Sequence, residues 1–389
     1  MKIPRFFLIS LLILCIASSC DKKPQVKNVI YLIGDGMGMG AVSALILTED
    51  AQTGFEMAPV IGLSETASAN NYVSDSPAGG TALATGERTI NGYTGVDSEG
   101  RQLTSILYKA QNLGKKTGIV VNTTLTESTP SAFYGGVTSR KMTFELAKQL
   151  TDSNVDLAIG AGLNHFINRP DSLDLTESFI EKGYDVYLNW SAVLNTQSDK
   201  FIGILPLADV HRREEKTIEA GAADGQEVCL AARLAAQQED VDTTQLSEPT
   251  LYLEKATAKA LDVLSRNNKK GFFLMVESAI IDGYGHNNDT EGLIDEMREF
   301  DRTLRQLIAY VDQNPETLLV VTGDHETGGV SVSYREFAQG ERPSVLLRYT
   351  TKGHSGTFVP VFSYGPDSEN FSGVMKNIDI PNKIMQILK

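Results

Sequence analysis

The sequence predicts an α/β fold: a mostly parallel central sheet with helices on both faces. Three observations carry the prediction. Short runs of nearly unbroken apolar residues recur along the chain, as expected of strands buried on both sides. Stretches with helical patterning lie between or after them. Chemically capable polar residues follow several runs directly, at the carboxyl ends of the strands, where open α/β sheets gather their ligands.

In chain order, the first strand is expected at 26–33 and a helix at 40–48. Strand-like runs return at 117–121, 155–159, 272–276, 318–321 and 359–363. Helices are expected at 142–150, 251–266, 293–311 and 381–388. The stretch 160–250 is mixed in charge and has no clear linker on either side, so it is expected to elaborate the main domain as a cap or insertion. Within 389 residues, 41% hydrophobic, there is enough apolar material for a sizeable core. Residues 20–389 are therefore expected to form one domain. The formal net charge of −14 argues against nucleic acid as a partner, because that binding needs basic patches. If the substrate is an anion, the acidic chain needs local positive charge, and bound metals supply it most simply.

The N-terminus is set apart from the fold. Lys2 and Arg5 precede an apolar run, 6–16, interrupted only by Ser10. That is too short to span a bilayer as a stable helix. It ends in Ala17-Ser18-Ser19-Cys20, which predicts a lipoprotein-type signal peptide over 1–19. Cys20 would then be lipidated and hold the protein to a membrane, in the periplasm or at the cell surface. A plain secretory peptide cut nearby is the alternative.

The chemistry is concentrated in a few segments. Glu277, Asp282 and His286 lie in VESAIIDGYGH, Asp324 and His325 in VTGDHE, and Asp35 in LIGDGMG. Of only five histidines, three (His286, His325 and His354) fall in such contexts. Carboxylates and imidazoles in this number and order suit divalent metals and point to a multi-metal hydrolytic site. His165 and His211 lack such neighbours and are expected to be structural or at the surface. In SDSPAGG, Pro77 suits the first position of a helix, which makes Ser76 its expected N-cap. A helix N-terminus favours anions, and the small residues at 78–80 would let a phosphate approach the backbone. Taken alone, Ser76 reads as an ordinary capping serine; the metal motifs raise it to a nucleophile. Likewise Arg140, alone a surface charge, has the planar fork that fits two phosphate oxygens.

Taken in order, LIGDGMG, SDSPAGGTALATG, NGYTGVD, STPSA, VTSRK, FFLMVESAIIDGYGH, VTGDHETGG and GHSGTFVPVFSYGP resemble the alkaline phosphatase family over nearly the whole mature chain. The resemblance implies that family's fold and phosphate monoester hydrolysis through a phosphoserine on Ser76, assisted by two zinc ions and one magnesium ion. It implies Asp282, His286 and His354 for one zinc, and Asp35, Asp324 and His325 for the other. Asp35 would be shared with the magnesium, together with Thr129 and Glu277. Arg140 would hold the phosphoryl oxygens and Asp75 would orient Arg140. Glu127, where relatives often carry aspartate or histidine, would reach the magnesium through water; Gly283 stands where some carry lysine or histidine. The implied partners are phosphate monoesters and inorganic phosphate, and the assembly is left between monomer and homodimer. The alternatives are a phosphodiesterase of the same superfamily, or a surface lipoprotein that binds phosphate or metal without turnover.

Overall fold

The first strand, β1 (Asn28–Gly34), shows why the sheet is covered on both sides. Its side chains alternate: Val29, Tyr31 and Ile33 enter one apolar cluster, while Ile30 and Leu32 enter the other. A strand that is apolar at every position can bury both faces only between two layers of helices. The computed structural model describes residues 24–206, 252–334, 336 and 345–388. The expected signal peptide with Cys20, and also His211, lie outside these residues.

The remaining strands of the central sheet are β2 (Val60–Glu65), β3 (Lys116–Thr124), β4 (Leu157–Ala161), β5 (Asp185–Tyr187), β6 (Phe201–Leu205), β7 (Phe272–Ser278), β8 (Thr317–Gly323), β13 (Val359–Tyr364) and β14 (Gly373–Lys376). Their order is β14-β2-β13-β8-β1-β7-β3-β4-β6-β5. Only β13 runs against its neighbours, β2 and β8; the other pairs are parallel. Two short antiparallel ladders lie outside it. One pairs β9 (Glu326–Thr327) with β12 (His354–Ser355), the other β10 (Val330–Ser333) with β11 (Leu346–Tyr349).

One helical layer contains Met39–Thr48, Tyr252–Ser265 and Thr290–Gln313; the other contains Ser76–Thr85, Ile106–Asn112, Ser128–Tyr134, Thr143–Asp152 and Asp379–Leu388. The longest, Thr290–Gln313, begins where the Asp289 side chain accepts the Gly292 N–H. It buries Leu293, Met297, Phe300, Leu304, Leu307 and Val311, a three-and-four spacing that forms one stripe. Full burial of each such side chain contributes roughly 1.5–3 kcal/mol, so this stripe fixes the helix on the sheet.

The expected mostly parallel sheet with helices on both faces is the observed one. Over its described part, the elaboration at 160–250 extends the sheet edge through β5 and β6. No helix among the described residues is long and apolar enough to cross a membrane.

Candidate active site

Three adjacent parallel strands end side by side. Gly34 of β1 is in register with Gly323 of β8 and with Ser278 of β7. Each strand delivers a carboxylate at that end: Asp35 just after β1, Asp324 just after β8, and Glu277 within β7. The Asp35 N–H donates to the Ser278 carbonyl at 3.0 Å, tying the ends of β1 and β7 together. Backbone N–H groups orient Asp324: its Oδ1 accepts from Gly36 at 3.1 Å and from His325 at 2.8 Å. Gly36 manages this at φ +73°, where an added Cβ would also meet Asp282 Cα at 2.8 Å, so glycine is required there.

Two carboxylates of this group converge on one imidazole. His325 Nε2 lies 3.4 Å from Asp35 Oδ1 and 3.2 Å from Asp324 Oδ2. The Ser76 hydroxyl stands 3.2 Å from the same nitrogen. A second group sits beside it. Asp282 and His286 lie one turn apart on the helix Ile280–Asn287, the spacing that puts two side chains on one face. His286 Nε2 is 3.3 Å from Asp282 Oδ2 and 3.2 Å from His354 Nε2, and His354 Nε2 is 3.5 Å from Asp282 Oδ1. Carbonyls fix both rings: His286 Nδ1 meets Lys352 O at 2.5 Å, and His354 Nδ1 meets Ser74 O at 2.8 Å. A carbonyl can only accept, so Nδ1 holds the proton in each ring and the Nε2 lone pairs face one another. Two lone pairs aimed at each other beside a carboxylate repel unless a cation lies between them. The His325 and His354 rings stack at 3.7 Å between centroids. Asp35, Asp324 and His325 form one group with metal-ligating spacing; Asp282 and His354, joined by His325, form another.

The electrostatics point the same way. Asp35 Oδ1, Asp324 Oδ2, both Glu277 oxygens and Thr129 Oγ1 are buried without a hydrogen-bond partner. An uncompensated buried ion costs on the order of several kcal/mol, and native interiors rarely leave such groups unsatisfied. Burial, and then the charges of Asp324, Asp282 and Glu277, push the Asp35 carboxyl well above the usual carboxylate range. Burial first and Asp324 next do the same to Glu277. Burial pushes Asp324 up to about 7, against the backbone hydrogen bond from Gly36. His325 moves the other way: burial, then His354 and His286, hold it well below its ordinary value and so neutral, the form that ligates metals. Carboxylates that resist ionising together, around neutral imidazoles, form a donor set that fits divalent cations.

The segment carrying Ser76 corrects one expectation. The N-cap of the helix Ser76–Thr85 is Asp75, in an extended conformation, with its carboxylate accepting the Ala78 N–H at 3.1 Å. Ser76 is therefore the first helical residue, and its hydroxyl is spared from capping. The glycines also play a packing part. A Cβ on Gly79 would meet Asp324 O at 2.8 Å, and one on Gly80 would meet Thr129 Cα at 2.8 Å. Their absence lets the helix lie directly against the carboxylate-bearing strand end and against Thr129.

Arg140 forms an ion pair with Glu127 at 3.0 Å. Although burial opposes its charge, Glu127 keeps the Arg140 guanidinium above its ordinary range, with a smaller share from Asp35 and Asp75. Asp75 therefore acts on Arg140 through its charge, while its hydrogen bond goes to the helix N-terminus. Glu127 also accepts from the Ser128 N–H at 3.3 Å, at the N-cap of the helix Ser128–Tyr134 that carries Thr129. Nothing lies within 4 Å of a Cβ built on Gly283. His165 stands outside both ligand groups, with Nδ1 2.7 Å from Thr126 Oγ1. The sequence reading missed Thr327, whose hydroxyl donates to Asp282 Oδ1 at 2.5 Å. It also missed the Ser74 and Lys352 carbonyls, since a main-chain acceptor leaves no signal in residue type.

Comparison with known proteins gives a consistent result. The family model described as alkaline phosphatase matches residues 26–345. Alkaline phosphatase 4 of Bacillus subtilis is 28% identical over 447 aligned residues, spanning 94% of this chain and 90% of that protein. The alkaline phosphatase structure from the Antarctic bacterium TAB5 is similar at a TM-score of 0.78 and 29% identity, covering 94% of this chain and 99% of its own. A substituted form of the TAB5 enzyme, also at a TM-score of 0.78, with 28% identity and the same coverage, was solved with magnesium bound.

Proposed function

Since the chain belongs to the alkaline phosphatase family of phosphomonoester hydrolases, we propose that it cleaves its substrate through a phosphoserine on Ser76. The observation that carries this reading is the Ser76 hydroxyl 3.2 Å from His325 Nε2, a nitrogen on which Asp35 and Asp324 also converge. Asp282, His286 and His354 would hold one zinc ion, and Asp35, Asp324 and His325 a second. Asp35, Thr129 and Glu277, an all-oxygen set, would hold magnesium. The orphaned oxygens of Asp35, Asp324, Glu277 and Thr129 fit that demand. Bound there, such cations supply ionisation of a hydroxyl and of water near neutral pH and offset charge on the departing oxygen.

The chain's own residues set the geometry. Ser76 Oγ forms a bond to phosphorus as the ester P–O bond breaks, and the alcohol leaves with a proton. Water then attacks the phosphoserine from the vacated side, and phosphate departs as the serine oxygen regains its proton. Arg140 would leave Glu127 to hold two phosphoryl oxygens. That exchange costs little, because the ion pair is half exposed and such pairs contribute about 0–1 kcal/mol. A fork for two free oxygens suits a terminal phosphate and disfavours a diester. Glu127 would touch the magnesium site through water. The free N–H groups at the start of the Ser76 helix add partial positive charge.

The test is phosphoenzyme trapping. Ser76→Ala should leave no labelled protein after acid quench and should lower turnover about ten-thousand-fold or more. Wild-type levels of label on the variant would refute the nucleophile. From the N-terminal sequence we further propose that the enzyme is exported to the periplasm or the cell surface and anchored through a lipidated Cys20. A mature N-terminus without acyl mass on Cys20 would remove the anchor without touching the chemistry.

A further inference from the structure

Both ligand groups touch one buried hydroxyl. Thr327 Oγ1 lies 2.5 Å from Asp282 Oδ1 and 3.3 Å from His325 Nδ1. Of the proposed zinc ligands, Asp282 is in one set and His325 in the other, yet Thr327 is in neither. The directions of these bonds follow from the donors. An ionised carboxylate can only accept, so the hydroxyl proton points to Asp282. The hydroxyl oxygen is then left to accept the proton on His325 Nδ1. That sets the tautomer whose Nε2 lone pair faces Asp35, Asp324 and Ser76.

The surrounding chain is shaped to hold this threonine. A Cβ on Gly36 would meet Thr327 Oγ1 at 2.8 Å, and one on Gly285 would meet Thr327 Cβ and Cγ2 at 3.0 Å. One glycine comes from the turn that follows β1 and the other from the helix that carries Asp282 and His286. Thr327 is 2% exposed, so no water competes for the hydroxyl. Its backbone pairs with His354 across the β9–β12 ladder. The residue before it completes the clamp: the buried Glu326 carboxylate accepts the Gly329 and Val330 N–H groups at 3.1 and 2.9 Å and the Ser355 hydroxyl. The tetrapeptide 324–327 thus contains two ligands, an anchor for the strand bearing His354, and a hydroxyl reaching the second group.

We infer that Thr327 is a positioning residue that couples the two ligand groups, orienting Asp282 and fixing the His325 tautomer through a single hydroxyl. The inference rests on the metal reading of the preceding subsection. It is tested on the full-length protein with Thr327→Val, which keeps the shape and removes the hydroxyl, Thr327→Ala, and Thr327→Ser, which keeps the hydroxyl. Zinc affinity is measured by competition with a chelating dye, and cobalt is substituted so that its absorption spectrum reports ligand geometry. Val and Ala should each weaken zinc binding by roughly 10–100-fold, as loss of a partner behind a metal ligand does, and Ser should restore it to within about threefold. The cobalt spectrum should change in Val and Ala and return in Ser. Should Val fail to fold, Ala against Ser makes the same comparison. Wild-type affinity and an unaltered cobalt spectrum in the variants lacking the hydroxyl overturn the coupling while leaving the metal reading intact. A wild-type protein that takes up no zinc overturns the metal reading, and the coupling with it.

Discussion

The two ligand groups are neighbours with opposite surroundings. The side chains of Asp324 and His325 are fully buried, whereas the His286 side chain is 40% exposed. The buried group comes from the ends of β1 and β8, has its Asp324 oriented by two backbone N–H donors, and leaves carboxylate oxygens unpaired. The other group is held by carbonyls behind its imidazoles and is exposed chiefly at His286. Under the proposed mechanism the difference would separate two tasks. The dry group would activate the serine, where electrostatic interactions are strongest. The more exposed group would meet the leaving alcohol and the incoming water, which must enter and depart.

The contrast can be broken most directly at its ligands. Asp324→Asn should lower zinc affinity about 100-fold or more, while His286→Asn should cost nearer tenfold, because water can replace an exposed ligand. Zinc retained after dialysis checks this, and a larger loss for His286→Asn would reverse the contrast.

The next effect is on stability without metal. The Asp324 carboxyl is pushed up to about 7 in the fold, against roughly 3.9 in an unfolded chain. A native carboxyl that binds its proton more tightly stabilises the protein below about pH 4, and that contribution is lost as pH rises toward 7. The metal-free protein should therefore lose on the order of a few kcal/mol over that window. Asp324→Asn should flatten the slope and raise the metal-free melting temperature at pH 8, although it binds zinc worse. Thermal melts with and without a chelator decide it; an unchanged slope would mean that burial does not hold the Asp324 carboxyl above its ordinary range.

The last effect is at the rim. Arg140→Ala should raise the inhibition constant for inorganic phosphate about 10–100-fold, the worth of charge-assisted hydrogen bonds. Its melting temperature should hardly move, since its partner Glu127 is half exposed. Unchanged phosphate inhibition would remove Arg140 from the substrate site.

Legibility in the sequence followed burial. Asp35 and Asp324 could be picked out because each ends an apolar run that has no use for a carboxylate. The runs themselves gave β1, β3, β4, β7, β8 and β13, since fully buried strands carry continuous apolar sequence. The reversed direction of β13 was not legible, because an apolar run reads the same in either sense. β9 and β12 are two residues each, too short for any period to show. Asp75 and Ser76 are both good caps, and composition alone could not say which residue would adopt the extended backbone of the N-cap. Thr327 had no signal at all: its role depends on Asp282, 45 positions away, and on two glycines that clear its place.

The spread of the proposed ligands along the chain also sets a timetable. Asp35 leaves the ribosome long before His354, and β13, which pairs with β8 beside these ligands, comes later still. A half-made polypeptide has no complete cage to offer, whatever order its strands fold in. If the groups hold metal as proposed, neither cage would be complete until the segment bearing His354 had been made.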